Sequence, residues 1–94
     1  MIAIIGTLRF PPEEAASLKP HLETMVAATR AEPGALYFSL AFDPSEPGLV
    51  RVSEIFEDMA ALEFHRASAH MKAWRAVTGG YTRDLKILDA SERA

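Results

Sequence analysis

The chain contains no cysteine among its 94 residues. Disulfide frameworks, thiolate nucleophiles, iron–sulfur clusters and cysteine-ligated zinc are therefore excluded together. It also has no apolar run long enough to cross a bilayer, so we expect no membrane association. The first ten residues have no basic segment ahead of their apolar run, which is not typical of a signal peptide, and a cytoplasmic location is the default expectation.

Basic residues are also few, because 10 Lys and Arg stand against 13 Asp and Glu and give a formal net charge of −3. Nucleic acids are bound by clustered basic surface, so we expect no nucleic-acid partner. The composition, 49% hydrophobic and 24% charged, is typical of a globular protein. At this length we predict a single domain over residues 1–90, followed by a polar tail at 91–94.

Apolar segments and turn-forming residues alternate along the chain in the order strand, helix, strand, strand, helix, strand. The predicted strands are 2–10, 35–43, 49–57 and 81–89. A first helix should follow the prolines at 11 and 12, with Pro20 kinking it or delaying its start, and Asp58 should cap the second helix. This order is that of the ferredoxin-like α+β fold, βαββαβ with an antiparallel sheet.

The predicted strands carry apolar residues on both of their faces. In the first strand Ile2 and Ile4 alternate with Ala3 and Ile5. Two helices cover only one face of a sheet, and strands that are apolar on both sides are expected to be covered on both. We therefore predict a homodimer in which the second faces of two sheets pack together, with an open, half-solvated sheet as the alternative.

Two of the three histidines, His65 and His70, lie in the second helix near the only tryptophan, Trp74. Zinc ligands on one helix are placed at i and i+4, whereas these histidines are five positions apart. On a regular helix they lie about 140° from each other and cannot share an ion unless the helix breaks between them, and we expect no metal site. Ser68 could break the helix by capping a new one that starts at Ala69.

Glu54 is the polar residue on an otherwise apolar strand face. An unpaired charge there costs stability, so we expect its carboxylate to orient one of the imidazoles. In a broken helix His70 would lie near a helix amino terminus, where the dipole favours the neutral ring. The alternative is an edge-exposed glutamate with two solvated histidines, and a Trp74 that belongs to the core.

Two segments, "RAEPGALYFSLAFDP" and "VSEIFEDMAALEFHRASAHMKAW", resemble the antibiotic biosynthesis monooxygenase family. The resemblance implies a ferredoxin-like fold that pairs into a dimeric α+β barrel. Its most specific features are Glu32-Pro33-Gly34 before the second strand, Glu54 followed by Phe56, and the set His65, Ser68 and His70. The family often has a proline after the serine, where this sequence has Ala69.

The resemblance implies a monooxygenase that uses O2 without a cofactor or metal to oxidise a small aromatic substrate, such as a phenol, quinol or anthrone. His70 or His65 would be the general base, and Glu54 would orient it. The substrate-binding residues of the apolar cavity would then be Trp74, Phe56, Tyr37 and Thr7.

The same resemblance allows other functions. Haem-degrading relatives use an asparagine, a tryptophan and a histidine where this chain has Thr7, His65 and Arg75, so none of the three matches. An isomerase of a small carbonyl compound would need a surface arginine or lysine to bind a phosphate. A non-catalytic dimer that binds a small molecule would need a cavity but no titrating base.

Overall fold

The computed structural model describes residues 1–93 and confirms the predicted fold class. The strands are β1 (Ile2–Arg9), β2 (Ala35–Phe42), β3 (Leu49–Phe56) and β4 (Thr82–Asp89), and the helices are α1 (Ala15–Arg30), α2 (Met59–Arg66) and α3 (Ala69–Thr78). A short 3-10 helix at Pro12–Glu14 precedes α1. The last residue of the predicted polar tail lies outside the described residues.

The four strands form one antiparallel sheet in the order β2-β3-β1-β4. Its register places Glu54 of β3 directly between Ile4 of β1 and Phe38 of β2. Because side chains alternate along a strand, these three residues lie on the same face. That face packs on the helices and forms the hydrophobic core.

Helix α1 contributes one face to this core. Its buried residues, Leu18, Leu22, Met25 and Thr29, recur at helical spacing. Pro20 lies inside α1, which runs from Ala15 to Arg30 in a single segment, so Pro20 does not delay its start. A proline near the amino terminus removes only one hydrogen bond from the helix.

The second helical region is broken, as the sequence predicted. Ser68 has an extended backbone (φ −69°, ψ 155°), and its hydroxyl accepts a hydrogen bond from the amide of Met71 at 3.2 Å. The same hydroxyl donates to the carbonyl oxygen of His65 at 2.7 Å. Ser68 therefore ends α2 and starts α3, and Ala69 permits the break although it is not a proline.

The other face of the sheet, which we call the open face, is not covered by the helices. Ile5, Tyr37 and Leu88 on this face are 46%, 53% and 43% exposed. Strand register brings Tyr37, Ile55, Ala3 and Leu88 into one row across all four strands. Among the described residues, no helix is both long and apolar enough to cross a membrane.

Candidate functional site

Glu32, which follows α1, holds the two histidines of the broken helix together. Its Oε2 atom lies 2.9 Å from Nδ1 of His65 and 2.6 Å from Nε2 of His70. The break at Ser68 changes the direction of the chain between the two histidines, so that imidazoles five positions apart converge on one carboxylate oxygen. The Glu32 and His65 side chains are only 5% and 3% exposed, whereas His70 is 21% exposed.

The orienting carboxylate is therefore that of Glu32, and the expectation that Glu54 has this role is wrong. Within residues 1–93 no hydrogen bond joins Glu54 to either imidazole, because Glu54 points from the sheet while Glu32 approaches from the end of α1. Glu32 was visible in the sequence only as part of the Glu32-Pro33-Gly34 motif. The residues around this motif do not indicate that the Glu32 side chain contacts His65 and His70, which lie more than 30 positions away in the sequence.

The backbone of Glu32 is fixed by a tight turn. Its amide donates to the carbonyl oxygen of Thr29 at 3.0 Å, and its own carbonyl accepts from the amide of Ala35 at 3.2 Å. The Oε1 atom of Glu32 is buried and has no hydrogen-bond partner in the described chain. A buried, half-satisfied carboxylate costs stability, so its retention suits a residue with a functional task.

Two spaces lie on either side of this cluster. The inner cavity, between the sheet and the helices, is mainly apolar and has a volume of about 50 Å³; its polar lining residues are Glu54, His65 and Arg83. The outer cleft, between α1 and α3, has a volume of about 80 Å³ and is lined by His70 together with His21 and Thr24. His65 thus faces the inner cavity, whereas His70 faces the outer cleft.

Burial shifts the pKa values of Glu54 and His65, which both line the inner cavity, in opposite directions. It raises the pKa of Glu54 to about 7, an effect that the nearby charge of Glu32 increases and that of Arg66 opposes. It lowers the pKa of His65, although the carboxylate of Glu32 partly offsets this. At neutral pH the cavity therefore contains a neutral imidazole and a carboxyl group near its midpoint, which can accept and donate protons.

Aromatic rings surround His65. The ring centroids of Phe56 and Phe38 lie 4.9 Å and 5.5 Å from that of the imidazole. Trp74 is buried and lines both the inner cavity and the outer cleft. Phe56 is fully buried, so it supports the imidazole from the side of the core.

Phe56 is not among the residues that line the inner cavity, and two other predicted substrate-binding residues lie on the opposite face of the sheet. Tyr37 precedes Phe38 in β2, and strand alternation turns it to the open face. Thr7 of β1 is also on the open face, where it lines a separate depression with Arg51 and Lys86. The sheet separates both residues from the inner cavity of their own chain, which corrects their predicted placement in its wall.

Arg83 of β4 closes the inner cavity at the edge of the sheet. Its guanidinium donates to the carbonyl oxygen of Thr78 at 3.0 Å and to the Thr78 hydroxyl, at the end of α3. Burial and the charge of Arg75 lower the pKa of Arg83. These contacts tie β4 to α3 beside Leu85, which lines the cavity and is 40% exposed.

Glu32, His65 and His70 are also the residues that could hold a metal ion, since one ligand atom of each lies within 4.8 Å of the others. The sequence spacing would keep the histidines apart only on a continuous helix, and the break at Ser68 brings them together. However, contacts of 2.6 and 2.9 Å are hydrogen-bond lengths. Ligand atoms in a tetrahedral zinc site with bonds of about 2.0 Å are roughly 3.3 Å apart, so the trio would have to expand to take an ion.

Known proteins resemble this chain in both sequence and structure. Residues 1–77 match the family model described as antibiotic biosynthesis monooxygenase. Rv0793 of Mycobacterium tuberculosis, provisionally named a monooxygenase, is 30% identical over 78 residues, which cover 83% of this chain and 76% of that protein. The solved structure of Rv0793 has a TM-score of 0.85 at 26% identity, covering 99% of this chain and 97% of that one. A structure from Caulobacter crescentus, provisionally named an antibiotic biosynthesis monooxygenase, has a TM-score of 0.87 at 29% identity, covering 97% and 90%.

Proposed function

Because this chain belongs to the antibiotic biosynthesis monooxygenase family, we propose that its inner cavity is the site where a small, electron-rich aromatic substrate is oxidised by O2 without a bound cofactor. Phenols, quinols and anthrones are the substrate classes that suit this chemistry. Removal of one proton gives an anion from which electrons pass readily to oxygen. For an anthrone, the ring CH2 and O2 give a carbonyl group and water, so the substrate supplies all the electrons.

The observation that carries this proposal is the buried carboxylate of Glu32 at 2.9 Å from Nδ1 of His65. An imidazole that is kept neutral by burial, contacts a carboxylate and borders an apolar cavity can act as a general base. Glu54, with its pKa raised to about 7, is a second group that can hold or release a proton there. The apolar lining excludes water from the anion that forms.

The inner cavity is too small for this substrate in the conformation described. Its volume is about 50 Å³, whereas a buried cavity that accepts benzene is on the order of 150 Å³. We infer that the substrate enters by separating α3 from β4, where Arg83 joins them. Met71, an unbranched side chain in the cavity wall, can change conformation to make room.

We also propose that the chain forms a homodimer through the open face. Ile5, Tyr37 and Leu88 expose apolar surface there, and a second copy would cover it by packing sheet on sheet. In such a dimer Tyr37 and Thr7 would lie in the interface and would pack against the sheet of the second subunit.

One other activity has a specific observation in its favour. A small cavity that contains one neutral imidazole and one carboxyl group also suits proton transfer on a small carbonyl compound. Isomerisation of such a compound needs no oxygen. The two activities are separated by the requirement for O2.

The test is oxygen uptake by metal-free protein with a panel of phenols, quinols and anthrones. We expect uptake with at least one of them, loss of about 10²-fold or more in His65→Asn, and full activity in His21→Asn, a histidine on the outer cleft. Failure of the whole panel, combined with exchange of substrate protons from an enolisable carbonyl compound into D2O, would replace the oxygenase with the isomerase.

A further inference from the structure

Within residues 1–93, Glu32 is the one side chain that is hydrogen-bonded to both His65 and His70. We propose that Glu32 is a positioning residue that fixes the tautomer of each imidazole, so that His65 is the catalytic base and His70 is a second hydrogen-bond donor that holds Glu32 in place. This assignment rests on the proposed function.

The chemistry of the shared oxygen sets the tautomers. An ionised carboxylate only accepts hydrogen bonds, and a neutral imidazole has one N–H donor and one acceptor nitrogen. Both rings meet the same Oε2 atom of Glu32, so His65 donates from Nδ1 and His70 donates from Nε2. The lone pairs then lie on Nε2 of His65 and on Nδ1 of His70.

The positions of the two rings decide which lone pair can serve as base. Nε2 of His65 has no hydrogen-bond partner in the described chain, but it is not among the fully enclosed polar atoms. Nδ1 of His65 is engaged by Glu32 and His65 lines the inner cavity, so Nε2 is the ring nitrogen left to meet a substrate there. His70 lines the outer cleft instead and is not among the residues that line the inner cavity.

The proton transfer follows directly. The substrate gives its phenolic or ring-carbon proton to Nε2 of His65, and the electron pair of the broken bond stays on the substrate as an anion. The imidazolium keeps its Nδ1 proton in the hydrogen bond to Glu32, whose negative charge stabilises it. The turn that fixes the Glu32 backbone and the second donor from His70 keep the carboxylate in this orientation.

The first test needs no substrate and no variant. Long-range ¹H–¹⁵N spectra of the imidazoles distinguish protonated from unprotonated ring nitrogens at neutral pH. We expect His65 with a proton on Nδ1 and His70 with a proton on Nε2. A His65 protonated on Nε2, or rapid averaging of tautomers in either ring, would overturn the proposal.

The second test is Glu32→Gln, which keeps the shape and an acceptor oxygen but removes the charge. The groups that act on His65 are Glu32, His70 and Arg75, and of these only Glu32 raises its pKa. We therefore expect the pKa of His65 to fall further in Glu32→Gln, measured by the same spectra across pH. An unchanged pKa would contradict a role for the Glu32 charge.

Kinetics separates the two histidines. His70→Asn retains a donor for Glu32, so we expect it to keep activity within about tenfold of the parent, whereas His65→Asn loses about 10²-fold or more with little change in KM. Greater loss in His70→Asn than in His65→Asn would make His70 the base. If the parent protein oxidises no substrate, the proposed function fails, but the tautomer spectra still decide whether Glu32 orients the two rings.

Discussion

The carboxyl group of Glu54 lies between Ile4 and Phe38 in the middle of the apolar sheet face. Glu54 is 9% exposed, and burial is the main reason that its pKa is raised from 4.5 to about 7. Such a group is stable in its protonated form and unfavourable once it ionises. The folded state therefore binds a proton at this position over a pH range in which the unfolded chain has lost it.

This difference predicts a pH-dependent stability. Because the folded pKa is the higher one, the contribution of Glu54 is fully favourable below pH 4.5 and is lost as the pH rises to about 7. The loss is on the order of 3 kcal/mol. We expect Glu54→Gln to be more stable than the parent by up to about this amount at pH 8, but by little at pH 4.5.

The measurement is urea unfolding of both proteins at several pH values. The difference between them isolates Glu54 from His65, whose lowered pKa acts in the opposite sense. Glu57→Gln, a change to an exposed glutamate at the end of β3, serves as the control. If the free energies of unfolding of Glu54→Gln and the parent differ by the same amount at pH 4.5 and pH 8, the pKa of Glu54 is not raised in the folded state.

The sequence predicted local features of this molecule better than distant contacts. Apolar segments bounded by turn-forming residues predicted the four strands, and the break at Ser68 followed from a serine placed to cap a helix. The partner of the histidines could not be predicted, because Glu32 and His65 are far apart in sequence and meet only when α1 and α2 pack on the same sheet. Glu54 could be recognised as a charged residue on an apolar strand face, but this pattern does not reveal which group it contacts.

The position after Ser68 offers a test of the helix break. Ala69 is the first residue of α3, a position where proline is favourable because its fixed φ suits the helix and its missing amide is not needed. Ser68 already has the extended backbone that precedes a proline. We expect Ala69→Pro to raise the free energy of unfolding by about 0.4–1 kcal/mol.

The matched variant is Ala73→Pro in the interior of α3, where the proline would remove a helical hydrogen bond and cost about 3 kcal/mol or more. Thermal or urea unfolding measures both. Destabilisation by Ala69→Pro comparable to that of Ala73→Pro would mean that α2 and α3 form one continuous helix in solution.

The proposed dimer predicts that one charge on the open face is enough to separate the subunits. Ile5 lies in a central strand of that face and is 46% exposed in the single chain. A lysine there would bury an unpaired charge between the two sheets, which costs several kcal/mol. We expect light scattering at micromolar concentration to give twice the chain mass for the parent and the mass of one chain for Ile5→Lys.

The control for this variant is Phe64→Lys, since Phe64 is 63% exposed on α2, away from the open face. It should leave the mass unchanged. If the parent protein is a monomer, the proposed dimer does not exist. If the dimer is lost in Phe64→Lys and kept in Ile5→Lys, the interface does not lie on the open face.

The position of Arg83 leads to a prediction that the substrate enters between α3 and β4. Its hydrogen bonds to Thr78 join β4 to the end of α3, and hydrogen bonds to charged groups contribute about 1.5–3 kcal/mol. Arg83→Ala should therefore lower the free energy of unfolding by roughly 1–2 kcal/mol, discounted for partial exposure. It should also widen the cavity mouth, because the guanidinium is a polar lining group of that space.

The kinetic consequence depends on substrate size. We expect kcat/KM of Arg83→Ala to rise for the largest substrate of the panel relative to the smallest, since the larger one needs the wider opening. Arg9→Ala is the matched control, because Arg9 forms an exposed ion pair with Glu46 at 2.8 Å that should contribute less than about 1 kcal/mol. If Arg83→Ala lowers stability but leaves the ratio of kcat/KM values equal to that of Arg9→Ala, the substrate reaches His65 by a route other than the gap between α3 and β4.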